Sequence, residues 1–212
     1  MSNRGAQSQQ REVQPVGTTG VGGAFSFYPT KNLGALGDGG AVITDDASMA
    51  DRIRRLRNGG QADRYRHVEA GINSRLDEIQ AAILRAKLPG LAGATARRRA
   101  LAAAYRRQLP AAVATVPEID AGHVYHLFPV RSPERDALQA HLRSMGIDTL
   151  IHYPVALPQQ RAFSVFSPAD CPYAARAAAE VLSLPLYPRL DESDITRVAD
   201  ATRAFQKGRV LA

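Results

Sequence analysis

Two short apolar runs, 23–28 and 40–44, are separated by a segment that can continue neither of them. Pro29 lacks a backbone donor and ends the first run as a strand. Glycines at 34, 37, 39 and 40 then permit a tight turn and close approach of the backbone to a ligand. The pattern reads as strand, loop and strand, with Lys31 just past the proline. Lysine is scarce here: 31, 87 and 207 are the only lysines among 27 basic residues. A lysine held between a strand end and glycine-rich backbone can be kept partly dry, which makes the neutral amine available for Schiff-base chemistry. A solvated loop lysine is the plainer reading of the same residue. The glycine spacing matches neither G-x-x-x-x-G-K-[ST] nor G-x-G-x-x-G, so a nucleoside triphosphate or dinucleotide cradle is excluded.

At 212 residues the chain holds one large domain or two small ones, and its 45% apolar residues suffice for a packed core. The net charge of +7 is spread along the chain. Its densest run, Arg97-Arg98-Arg99 with Arg106-Arg107, lies on a predicted helix and is read as a solvated face, so no clustered basic surface for nucleic acid is expected. Cys171 is the single cysteine, which excludes an internal disulfide and fits a reducing compartment. No apolar run approaches the ~20 residues that cross a bilayer, and the first ten residues lack the apolar core of a signal peptide. A soluble, cytoplasmic protein is expected.

Along the chain, strands are expected at 23–28 and 40–44. Asp45-Asp46 caps a helix over 47–58 with Met49, Ile53 and Leu56 inward, ended by Gly59-Gly60. Residues 61–72 read as a polar loop. Ser74 in Ser-x-x-Asp opens a long helix with Leu76, Ile79, Ile83 and Ala86 toward a core, broken at Pro89-Gly90. A helix over 91–109 carries Leu101, Tyr105 and Leu109. After it come a strand at 123–131, a helix from Ser132-Pro-Glu to Met145, and a strand at 147–153. An irregular stretch follows, then a helix at 172–182 and a last helix at 192–205. The expected fold class is α/β, with helices on one face of a small second sheet. The domain division is placed in the helix near 91–110, giving domains 1–95 and 96–212. His123 and His126, three apart on the expected strand, point to opposite faces, so no metal site is expected. His67 reads as solvated.

The wording of the lysine segment, Phe25-Ser-Phe-Tyr-Pro-Thr-Lys-Asn-Leu-Gly-Ala-Leu-Gly-Asp-Gly-Gly40, resembles that of the DegT/DnrJ/EryC1/StrS family of PLP-dependent sugar aminotransferases. Further blocks follow in the family's order: Gly37-Asp-Gly-Gly-Ala-Val-Ile-Thr-Asp45, Arg54-Arg-Leu-Arg-Asn58, Gly71-Ile-Asn-Ser-Arg-Leu-Asp-Glu-Ile-Gln-Ala-Ala82, His123-Val-Tyr-His-Leu-Phe-Pro129, Ile151-His-Tyr-Pro154 and Leu182-Ser-Leu-Pro-Leu-Tyr-Pro188. The resemblance implies part of a fold type I large domain, with an incomplete sheet, over 1–95 and a small C-terminal α/β domain over 96–212. It also implies pyridoxal 5'-phosphate as cofactor, a nucleotide-linked keto-sugar as substrate, glutamate as amino donor and a homodimer.

Carried over by resemblance, Lys31 is the Schiff-base lysine and later moves a proton between substrate and cofactor. Ser26 and Gln7 contact the cofactor, Ser26 through its phosphate, and Asn73 reaches the cofactor phosphate of the neighbouring subunit. His152, Tyr153 and Arg75 lie toward the substrate. The sequence departs from the family at Arg4, which stands where the family has the aspartate that pairs with the pyridine nitrogen; a guanidinium has no acceptor for that role. The segments the family places earlier are missing as well, so the expected chain is the C-terminal portion of such an enzyme, impaired by that loss. The competing expectation is a non-catalytic remnant or partner subunit of a full-length homologue. A sugar dehydratase of the same family would carry histidine in place of Lys31.

Overall fold

The acidic pair ahead of the first helix acts through one member. In the computed structural model, which describes residues 14–111, 113–166 and 169–210, Asp46 Oδ1 accepts from the backbone N–H of Ser48 at 2.8 Å and of Met49 at 3.1 Å. These bonds satisfy two of the donors a helix start leaves open; the Ser48 hydroxyl, donating to the same oxygen at 2.7 Å, and then the Met49 N–H hold the Asp46 carboxyl below the usual carboxylate range. The chain divides into two compact units, Met1–Pro89 and Gly90–Ala212. Placed from sequence at 95/96, the division falls in the structure at the Pro89-Gly90 break.

In the first unit, β1 (Gly23–Ser26) and β2 (Gly40–Ile43) pair antiparallel, with Ser26 opposite Gly40. Helix α1 (Ala47–Leu56) follows and ends before Gly59 and Gly60, both at positive φ. Expected as a loop, 61–72 contains a small hairpin of β3 (Gln61–Asp63) and β4 (Arg66–His67). His67 is not merely solvated: its Nδ1 lies 2.7 Å from the Gly59 carbonyl and closes the hairpin base. Residues 71–74 run back along the end of α1, through Ile72 N–H to Leu56 O and Ser74 N–H to Arg57 O, both 2.8 Å. That pairing holds Ser74 extended, so α2 (Glu78–Lys87) begins later than the Ser-x-x-Asp pattern predicts, with Asp77 at its cap. Nor is the inward face the expected one. Leu84 is buried, while Ile79 is 67% exposed.

The second unit is built on α3 (Leu91–Gln108), whose Arg98, Leu101, Ala102 and Tyr105 form a buried stripe at helical spacing. A three-stranded antiparallel sheet, in the order β5 (Ala114–Thr115), β6 (Phe128–Arg131), β7 (Val181–Leu184), meets that stripe. The Tyr105 and Phe128 rings stack at 4.8 Å between centroids. Helix α4 (Arg135–Ser144) closes at Gly146, which has φ +69°; α5 (Pro172–Glu180) leads into β7; and α6 (Glu192–Val210) packs on α3 and α4. Residues 181–184, expected as partly helical, are therefore a strand. Leu182 and Leu184 face the core beside Phe128 and Val130, and Ser183 alternates to the other face. The strand expected at 147–153 is reduced to one bridge, Leu150 with Ser183. Because both backbone groups of Ser183 bond Leu150, its β6 partner Pro129 loses no bond on that side. On the other side, the pairing with β5 stops at Val130. A proline is thereby accommodated in the middle strand.

The strand expected over 123–131 starts only at Phe128, and buried Arg98 holds the bend before it. Its Nη1 donates to the carbonyls of Tyr125 (3.1 Å), His126 (3.3 Å) and Leu186 (2.9 Å), with Tyr125 at φ +45°. The arginine run is thus not simply a solvated face; burial lowers the Arg98 pKa without unseating these bonds. At the far side of the sheet, Glu180 binds Arg176 at 2.7 Å and Arg131 at 2.5 Å, tying α5 to β6. Among the described residues no helix is long and apolar enough to cross a membrane.

Replacing Arg98 by Met should strip the donor from three carbonyls, at a cost of about 3 kcal/mol, read as a lower urea midpoint by circular dichroism. A second outcome concerns pH. Arg176 first, and then Arg131, hold the Glu180 carboxyl below its ordinary range. A depressed carboxylate contributes stability above its unfolded pKa and loses it as pH falls through the folded one. The thermal midpoints of the unmodified chain and of Glu180→Gln should therefore differ at neutral pH and converge in acid.

Candidate active site

Lys31 lies five residues beyond the end of β1, in a loop whose backbone is closely determined. The Phe27 N–H donates to Gly39 O at 2.7 Å, and the Phe27 carbonyl accepts from Ala35 N–H at 2.8 Å. Lys31 N–H closes a turn onto Tyr28 O at 2.8 Å. Gly34 lies so close to Pro29 that a Cβ there would stand 2.4 Å from the Pro29 carbonyl oxygen, so only glycine fits. The lysine itself is half-buried. Among the described residues its ammonium makes no hydrogen bond or ion pair, so the amine is uncommitted on the residue that closes a fixed turn.

Ser26 is exposed at the end of β1, and its Oγ accepts from the Tyr28 N–H at 3.2 Å. A hydroxyl that accepts in this way keeps its own proton free to donate to an anion. An uncommitted amine and a free hydroxyl donor are the groups that an aldehyde bearing a phosphate would require, and these residues fit pyridoxal 5'-phosphate in that sense.

Asn73 and Arg75 lie on the extended stretch before α2. Asn73 bridges to Asn58, and an Arg75 Nη1 stands 3.5 Å from Asn58 Oδ1. Both are exposed, and among the described residues neither bonds Ser26 or Lys31. Gln7 and Arg4 lie outside the described residues.

In the second unit His152 Nδ1 sits 2.9 Å from the hydroxyl of buried Ser183, so alternation along β7 fixes one ring nitrogen. Tyr153 packs edge-on against the His152 ring and is 72% exposed. His123, expected on a strand, lies in a turn and accepts the Tyr125 N–H at 3.0 Å. Cys171 is exposed. Among the described residues no group of three His, Cys, Asp or Glu could hold a metal ion.

Three positions that the sequence reading passed over touch these groups. Ser183 seats His152, while Gln80 and Lys87 of α2 reach the loop that carries Lys31: Leu36 N–H donates to Gln80 Oε1 at 2.9 Å, and Lys87 Nζ donates to Gly34 O at 2.5 Å. The scarcity of lysine was the one signal in the sequence that marked Lys87.

Residues 3–203 match the DegT/DnrJ/EryC1/StrS aminotransferase family. A dTDP-3-amino-3,4,6-trideoxy-alpha-D-glucose transaminase of Streptomyces venezuelae is 48% identical over 187 residues, covering 86% of this chain and 49% of the relative. The solved structure of S. venezuelae DesV in complex with a ketimine intermediate superposes with a TM-score of 0.81 at 47% identity, over 86% of this chain and 50% of that one. Bacillus subtilis NtdA with bound cofactor PMP gives a TM-score of 0.80 at 28% identity, over 91% of this chain and 47% of that one. The chain spans about half the length of the curated relatives it matches, and its mixed α/β architecture with small sheets is the corresponding part of their fold. It belongs to the DegT/DnrJ/EryC1/StrS aminotransferase family.

Proposed function

We propose that this chain carries the lysine-bearing part of a pyridoxal 5'-phosphate-dependent aminotransferase for nucleotide-linked keto-sugars, serving amino-sugar biosynthesis in the cytoplasm. The observation that carries the reading is the uncommitted Lys31 amine on a loop held by three backbone hydrogen bonds, five residues along the chain from a serine hydroxyl with a free proton. The likeness to a transaminase of a dTDP-linked amino sugar supports the substrate class. A related structure that holds PMP supports the cofactor.

In this reading Lys31 and Ser26 hold the cofactor, Lys31 through its amine and Ser26 by donating to the phosphate; Gln7 is assigned to the same group. Bound there, pyridoxal phosphate supplies an electron sink and a carrier for the amino group. Lys31 Nζ would then serve as base and acid, moving a proton between the substrate carbon and the cofactor. The fixed turn anchors the Lys31 backbone and so limits the cost of positioning its side chain. His152, seated by Ser183, offers Nε2 to a sugar hydroxyl or phosphate, and Tyr153 and Arg75 are assigned to the substrate as well. Asn73 is exposed and unbonded to Ser26 or Lys31, which leaves it to reach the cofactor phosphate of a second copy in a homodimer. The unit that ends at Pro89 is assigned to the cofactor-binding domain and the rest to the smaller domain, with glutamate as amino donor.

Mixing the purified chain with pyridoxal phosphate should produce a visible absorption band. Borohydride should then fix a covalent adduct that maps to Lys31 and is missing in Lys31→Ala. Equal labelling of the control, or no adduct at all, would remove the catalytic reading.

A further inference from the structure

The loop that presents Lys31 is gripped from outside by one face of α2. Gln80 and Lys87 are seven positions apart, two turns of helix, and so lie on the same side of α2, about 10 Å apart along its axis. They seize opposite kinds of group: Gln80 Oε1 accepts the Leu36 N–H at 2.9 Å, and Lys87 Nζ donates to the Gly34 carbonyl at 2.5 Å. Between the two straps lies Ala35, buried to 1% exposure, whose N–H bonds Phe27 O. Glycines make room along the same line. A Cβ on Gly37 would stand 3.0 Å from the Gln80 amide nitrogen, and one on Gly39 would stand 3.0 Å from a Leu76 methyl. Gln80, buried Leu84 and Lys87 thus form one stripe of α2, which Leu76 extends from just before the helix, and contacts at Gly34, Leu36, Gly37 and Gly39 run along it.

We infer that Gln80 and Lys87 are positioning residues that hold the Lys31 loop in register on α2, so that the Lys31 amine is presented in one place. The inference rests on the proposed role of Lys31 as the cofactor lysine. Neither residue reaches the amine itself. Lys87 acts through the Gly34 carbonyl, three residues beyond Lys31, and Gln80 through the Leu36 amide. The backbone bonds of Phe27, Lys31 and Ala35 close the loop on itself, and a single strap would tie it to α2 at one point only. Two straps set two turns apart fix its direction as well, which the backbone turn Lys31 N–H to Tyr28 O does not do alone. Lysine suits the distal strap because a compact ammonium on a flexible stem can reach a single carbonyl in a narrow space, where a planar guanidinium needs room for its fork.

The test uses the full chain and the variants Lys87→Met, Gln80→Leu and Gln80→Glu, with two readouts. The first is amide hydrogen exchange, resolved at Leu36 and across 31–37, measured without cofactor and with the α3 amides as a control for folding. The second is the rate at which pyridoxal phosphate and borohydride label Lys31. Loss of either strap should speed exchange in 31–37 roughly tenfold, leave α3 unchanged, and slow Lys31 labelling several-fold. Gln80→Glu keeps the acceptor for the Leu36 N–H and should behave as the unmodified chain does. Unchanged exchange in both Lys87→Met and Gln80→Leu would overturn the straps. Faster exchange with unaltered labelling would reduce them to scaffolding and overturn the positioning role. Absence of a Lys31 adduct in the unmodified chain would instead sink the proposed function, and the inference with it, whatever the exchange result.

Discussion

A backbone carbonyl taken out of water without a donor costs on the order of 1–3 kcal/mol, and the irregular segments of this chain present many such oxygens. They are met by long cationic side chains. In the second unit Arg98 alone serves the carbonyls of Tyr125, His126 and Leu186; Arg97 serves that of Leu190, and Arg99 that of His123. Arg135 reaches Ala178 and Val181 from α4, and Arg197 reaches Met145 from α6. The bends before β6 and after β7 hold their shape because these donors are in place. Much of the arginine content is therefore structural. A guanidinium with five donors on a fixed plane can serve several carbonyls at once, and its aliphatic stem packs along the core meanwhile.

The same spacing appears on two helices. Arg98 and Tyr105 on α3 are seven residues apart and take the carbonyls of Leu186 and Pro185. Gln80 and Lys87 on α2 are also seven apart and take groups of Leu36 and Gly34. Each pair grips a glycine- or proline-rich segment that has no ladder of its own. A helix holding an irregular segment at two points two turns apart is the local solution in both units. It lets a loop be rigid without being a strand, which a residue with chemistry to perform requires.

Elements governed by local rules were legible in the sequence. The Asp46 cap, the stop at Gly146, the break at Pro89-Gly90 and the length of α3 each depend on neighbouring residues, and each stands where the pattern put it, to within a residue or two. The failures share a cause. Ser74 has the composition of a cap, but its N–H is drawn to Arg57 O, seventeen residues back. Residues 181 and 182 continue an alanine-rich helical pattern, yet they pair with Arg131 and Val130 across about fifty residues. At the candidate site, Lys31, Ser26 and the glycine loop could be read because punctuation is local. The straps from Gln80 and Lys87 span 44 and 53 residues, and no periodicity encodes that reach. The inward stripe of α2 was misassigned for the same reason, since what covers that helix is a loop rather than a second apolar face.

Side-chain chemistry explains why lysine stands at 31 and 87 in a chain whose only other lysine is Lys207. Arginine stays protonated in proteins and cannot act as an amine nucleophile, so the Schiff-base role proposed for position 31 admits lysine alone of the two. At position 87 the demand is geometric: one carbonyl, one short bond, and a neighbouring glycine so close to Pro29 that it has no room for a Cβ. Elsewhere the carbonyls come in groups, as at Arg98, and the wider fork answers them better. The two lysines thus mark two places in the first unit where a single nitrogen on a flexible stem suits the site better than a guanidinium fork. They are linked through Gly34, whose backbone is fixed against Pro29 on one side and bonded to Lys87 on the other. A side chain at Gly34 would part both contacts, so the glycine next to the lysine turn is where loop geometry and strap become one constraint.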